Sequence, residues 1–172
     1  MNGRDTGRAR LYQAEAMLRS MFDRAASSRT LQIAGTELTL PVEARFSSVD
    51  SVRDYLARVL SMPTVTGRFA RASTPVTVRS RRGTRAADYR PARAEIALPE
   101  RGDGRWALRE LVVLHELAHH LDGSGAGGHG PAFIETLIDL VGLVLGPEVA
   151  FIYRVVFADS GVGGPPADPT RR

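Results

Sequence analysis

The chain has 172 residues, a length that suits one domain with loose ends and needs no covalent staple to bury a core. Hydrophobic residues make up 43% and charged residues 24%, so wholesale disorder is not expected, and the absence of Cys excludes disulfides, thiolate metal sites and a cysteine nucleophile. Net charge is +4 and the pI about 10.3, carried entirely by Arg because the chain has no Lys. A GC-rich coding sequence accounts for that bias as readily as an anionic partner does, since charge alone is a weak guide to binding. The first residues lack an apolar core of signal-peptide type and no run of about 18 apolar residues occurs, so a cytoplasmic location without a membrane span is expected.

Residues 5–26 read as an amphipathic helix, with Leu11, Ala14, Leu18, Met21 and Phe22 at helical spacing. Residues 30–40 read as a hairpin: Leu31, Ile33, Leu38 and Leu40 alternate with polar residues, Gly35-Thr36 marks the turn, and Pro41 closes it. Ser48 is the expected N-cap of a helix over 49–61, with Val52, Leu56, Val59 and Leu60 as its buried stripe. Residues 64–73 are ambiguous, with room for a short helical piece. Residues 75–79 and 93–98 read as strands, the second with Ala94, Ile96 and Leu98 on one face. Between them, 80–90 is expected to be a basic connection turning at Gly83. Pro99 and Gly102-Asp103-Gly104 break the chain. Residues 106–121 form a strong helix, apolar on nearly every side and so a buried element. A Gly-rich loop over 122–130 leads to a helix over 131–145 that starts on Pro131, and Gly146-Pro147 separates it from a last helix over 148–157. Residues 1–159 are expected to form a single domain, and the Gly/Pro-rich segment 160–172 an unstructured tail.

The buried helix carries His115-Glu116-Leu117-Ala118-His119-His120. His115 and His119 stand one turn apart on the same face, where two imidazoles can reach one metal ion. Glu116 lies to one side, within reach of a water at that metal. A buried helix does not place such groups at its centre without partners, because unpaired polar groups there are costly. A catalytic zinc site wants three protein ligands and an open position. All four His lie between residues 115 and 129, so His129 is the foremost candidate for the third, delivered by a loop that glycines let fold back sharply. Glu135 and Asp139 on the following helix are its rivals. A metzincin arrangement fits badly: it wants Gly at 122 and His at 125, where this chain has Asp and Gly, and no Met follows Met62. His120 points about 100° away from His119, so a packed or solvent-facing place suits it better than ligation, with a hydrogen-bond donor supporting the ligands as the alternative.

With HELAHH followed by HGPAF, the sequence resembles zincin metallopeptidases, and more closely those of SprT-like type, in which HExxH is followed by a loop and an HGxxF element. Residues 4–157 as a whole look like a small family of metallohydrolases of high-GC Gram-positive bacteria. The supporting segments are RELVVLHELAHHLD and HGPAF, with weaker likeness in LTLP, PVTVRSRRG and GPEVAF. The resemblance implies zinc ligands at His115, His119 and His129 and a general base at Glu116. It supplies no substrate. The lack of Cys means that the zinc ribbon some SprT-like proteins carry is missing.

The expected fold is α+β and zincin-like: a small, mainly antiparallel sheet packed on the long active-site helix, with further helices. The expected activity is that of a zinc-dependent metallohydrolase, a peptidase acting on peptide or protein substrates. HExxH does not name the bond, so a hydrolase of a non-peptide bond is an alternative, as is a metal-stabilised nucleic-acid-binding module. Glu116 speaks against the last, because a purely structural site has no use for a base. Tyr89 and Arg109 are candidate oxyanion helpers, each with a plain alternative as a packed ring or a surface charge. The strand at 93–98 is a candidate sheet edge for pairing with an extended substrate. The stretch from Arg79 to Arg93 holds six Arg against Asp88 alone and is a candidate phosphate contact.

Overall fold

The computed structural model describes residues 3–163, with side chains from residue 7 onward, and these fall into two compact units. One is discontinuous and, among the described residues, draws on 3–42 and 128–163; the other is the continuous segment 43–127. Helices and small sheets coexist throughout, so the class is α+β. No helix among the described residues is long and apolar enough to cross a membrane.

The discontinuous unit begins with α1 (Gly3–Ala25), whose Leu11, Ala14, Leu18 and Phe22 are buried at helical spacing. The antiparallel hairpin of β1 (Thr30–Ile33) and β2 (Thr36–Thr39) follows. Its turn is Ala34-Gly35, one residue earlier than the Gly35-Thr36 expected, with positive φ at both positions as a type I′ turn requires. The unit is completed by α5 (Pro131–Leu145) and α6 (Pro147–Asp159). Gly142 lets these two helices approach closely, because a Cβ there would sit 3.0 Å from that of Ala150. Gly146, at φ 108° and ψ 161°, occupies a backbone region open essentially only to glycine, and Pro147 starts α6 immediately after it. Beyond α6, Val162 N–H donates to the Phe157 carbonyl at 2.8 Å. From residue 164 onward, the tail expected to be unstructured lies outside the described residues.

The continuous unit holds α2 (Val49–Ser61), α3 (Pro63–Arg68), a 3-10 turn at Ala70–Ser73, β3 (Thr77–Arg81), β4 (Asp88–Arg90), β5 (Glu95–Pro99), a 3-10 turn at Gly102–Ala107 and α4 (Glu110–Leu121). Ser48 caps α2 as expected, its hydroxyl accepting from Ser51 N–H. The sheet order is β3-β5-β4, parallel between β3 and β5 and antiparallel between β4 and β5, so this sheet is mixed rather than mainly antiparallel. β4 falls inside the segment expected to be a plain connection. β5 is the central strand, so the expectation that it offers a free edge fails: Thr77–Arg81 takes one side and Asp88–Arg90 the other.

Helix α4 starts four residues later than its pattern suggests. Residues 102–107 form a 3-10 turn instead, and Arg109 is extended because residues 44–46 pair around it: Phe46 N–H donates to Leu108 O at 2.9 Å and Glu110 N–H to Ala44 O at 3.0 Å. Arg109 occupies the N-cap position but gives no side-chain cap. The Glu43 carboxylate supplies one instead, accepting from Leu111 N–H at 3.2 Å. Glu110 returns the contact, accepting from Ala44 N–H at 2.7 Å and from the Tyr55 hydroxyl at 2.6 Å.

Candidate metal centre

Of the twelve residues of α4, all are buried except His119. This follows from Leu111, Val112, Val113, Leu114, Leu117, Ala118 and Leu121, which cover most of the helix circumference. His115 is 5% and Glu116 6% exposed, so one imidazole and the carboxylate are nearly sequestered while the second imidazole reaches the surface. The ring centroids of His115 and His119 lie 5.0 Å apart at an interplanar angle of 74°, which places both on the face that the four-residue spacing dictates.

His120 is fully buried and has a role of its own. Its Nε2 lies 3.0 Å from the Thr74 carbonyl, which can only accept, so Nε2 carries the proton. Burial pushes the ring's pKa below its ordinary value, keeping it neutral. Nδ1 is therefore the acceptor for the Tyr89 hydroxyl at 3.0 Å. The same residue's carbonyl accepts from Arg71 Nε at 2.6 Å. His120 thus ties α4 to β4 and to the turn before β3. The ring of Tyr89 lies parallel to that of His119, 4° between planes and 6.5 Å between centroids.

Both candidate oxyanion helpers are committed elsewhere. The O–H of Tyr89 is spent on His120. Arg109, 7% exposed, is no surface charge: it forks onto Glu43, with Nε to Oε1 at 2.8 Å and Nη2 to Oε2 at 2.5 Å.

In the other unit, His129 precedes α5 in a turn entered through Gly127 and Gly128, both at positive φ. The local sequence explains its placement. Gly130 is the N-cap and Pro131 the first helical residue, so Phe133 falls in the first turn, where its ring meets His129 edge-on at 4.9 Å and 85°. Tyr12 of α1 meets His129 from another direction, at 5.6 Å and 72°. His129 is half-buried. Of its rivals, Glu135 is exposed on α5 and Asp139 forms an ion pair with Arg154 at 3.7 Å.

Glu43, Glu110 and β4 escaped the sequence reading. Glu43 carries no local signal of its capping role, because the groups it hydrogen-bonds lie 66 and 68 positions away. No family model, no curated protein and no solved structure matches the chain.

Proposed function

We propose that the chain is a zinc-dependent hydrolase of zincin-like architecture, a peptidase, in which His115, His119 and His129 hold one metal ion and Glu116 is the general base. The observation that carries this reading is the α4 arrangement. Two imidazoles share a face, the carboxylate one residue on is buried beside them, and only the outer imidazole is open to solvent. Three imidazoles are a donor set that suits zinc and leaves a fourth position open.

A bound zinc ion would supply Lewis acidity, lowering the pKa of a water towards neutrality and polarising a scissile carbonyl. The chain's own residues do the rest. Glu116 takes the proton of the attacking water and passes it to the leaving amine. His120, held neutral, keeps Tyr89 in place against His119 and so restricts the outer ligand to one orientation. Phe133 and Tyr12 restrict the ring of His129 in the same way. Peptides or proteins are the substrates that resemblance to the zincins suggests.

Metal analysis with turnover tests the reading. Purified protein is expected to hold about one zinc per chain. Glu116→Gln should keep the metal and lose cleavage of an unstructured protein such as casein, whereas His115→Ala and His119→Ala should lose both. Wild-type protein that takes up no zinc would sink the proposal. Normal zinc binding by His129→Ala, with loss in Glu135→Ala, would move the third ligand to α5.

A further inference from the structure

The basic stretch from Arg79 to Arg93 is not uniformly available. Arg79 Nε donates to Glu95 at 2.7 Å, Arg81 pairs with Asp88, and Arg90 lies 3.1 Å from Asp88 and 3.7 Å from Glu95. Glu95 is held below the usual carboxylate range, first by the Arg79 hydrogen bond, with Arg90 and Arg93 adding to it. These four cations thus face acids. Arg82 and Arg85 differ: they are exposed in the turn between β3 and β4, around Gly83 at φ 99°, and make no ion pair among the described residues.

The structure adds an aromatic ring that sequence order hides. Trp106, the single Trp of the chain, is 40% exposed, and its indole N–H donates to the Thr84 carbonyl at 2.7 Å. The ring is therefore held by one edge against the turn that carries Arg82 and Arg85. Its own turn is anchored: Gly104 lies so close to Pro99 that a Cβ would come within 2.6 Å of the proline's. Arg101 precedes that turn and Arg105 lies within it, both exposed and without an ion pair among the described residues.

We propose that Trp106, Arg82 and Arg85, with Arg101 and Arg105 beside them, form a binding surface for single-stranded nucleic acid. An immobilised indole offers a stacking face to any base, and guanidinium forks match phosphate oxygens. An acidic peptide would use the cations but has no call for a ring held in place. The surface lies within the continuous unit and does not rest on the metal site.

The single Trp makes its own reporter. Titrating the full-length protein with dT12 or U12 at low salt should quench Trp106 fluorescence to saturation, and the affinity should fall as salt rises. Anisotropy of fluorescein-labelled dT12 should show Trp106→Ala binding about tenfold or more weakly. Arg82→Gln/Arg85→Gln should weaken binding and reduce the slope of log affinity against log salt by about 1.4, the share of two phosphate contacts. If Trp106→Ala loses its circular dichroism, Trp106→Phe, which keeps a stacking face, and the arginine pair decide the matter. Absence of saturable binding by both oligonucleotides, affinity unchanged in the arginine pair, or equal competition by poly-glutamate would overturn the proposal.

Discussion

Glu43 and Arg109 form a buried, two-pronged ion pair, with side chains 5% and 8% exposed, at the mouth of the helix that carries HELAHH. The same carboxylate accepts from Leu111 N–H, so one side chain neutralises a buried charge and caps α4. Removing one partner of a buried pair leaves the other charge stranded. Glu43→Ala is therefore expected to destabilise the fold by about 3–5 kcal/mol, read as a lower urea midpoint. A loss below about 1 kcal/mol would mean that the pair is solvated and the clamp idle.

Tyr55 gives the stability a pH dependence of known sign. Burial, then the charge and hydrogen bond of Glu110, push its phenol far above the usual tyrosine range. The unfolded chain ionises there near pH 10 whereas the folded chain keeps its proton. This contribution is whole below pH 10 and declines above it, by about 1.4 kcal/mol per pH unit. Stability curves at pH 9 to 11 for wild type and Tyr55→Phe should converge as pH rises; parallel curves would contradict the assignment.

His120 is expected to matter more than its distance from ligation suggests. His120→Ala strands the Thr74 carbonyl and the Tyr89 hydroxyl and opens a cavity in a fully buried place. A loss of about 2–4 kcal/mol follows. Tyr89→Phe deletes one hydrogen bond and should cost about 1 kcal/mol. Chemical denaturation of both variants checks the order; no loss in Tyr89→Phe would mean that the ring is held by packing alone.

Zinc should stabilise the native chain in proportion to its affinity. Free metal at a hundred times its dissociation constant adds about 2.7 kcal/mol, and a chelator withdraws it. A melting temperature that rises with zinc in wild type and Glu116→Gln, but not in His115→Ala, is the expected pattern.

Backbone geometry at Gly146 makes a separate forecast. Gly146→Ala forces a side chain into φ 108°, ψ 161° and should cost about 1–3 kcal/mol by urea denaturation, without altering zinc affinity.

What could be read from sequence was whatever short-range chemistry decides. The Ser48 cap, Pro131 at the start of α5 and the Gly146-Pro147 break each act within a few residues and fall where expected. So does the shared face of His115 and His119, because helix periodicity alone sets it. β4 escaped notice because three residues cannot display an alternation. The start of α4 is not legible locally because a segment more than 60 positions upstream pairs with Leu108 and Glu110 and holds Arg109 extended. Tyr89 and Arg109 read as available for chemistry because nothing local reveals their partners, His120 and Glu43 respectively. Trp106 looked like the first residue of a helix, and its hydrogen bond to Thr84 crosses 22 positions.

The discontinuity of the first unit has a consequence for the order of assembly during synthesis. α1 leaves the ribosome before the inserted segment, yet it packs with α6, which comes more than a hundred residues later. Residues 43–127 are contiguous and have their own partners as soon as they are made. Vectorial folding therefore favours the inserted segment, while α1 waits for α5 and α6 with its apolar stripe of Leu11, Leu18 and Phe22 uncovered in the meantime.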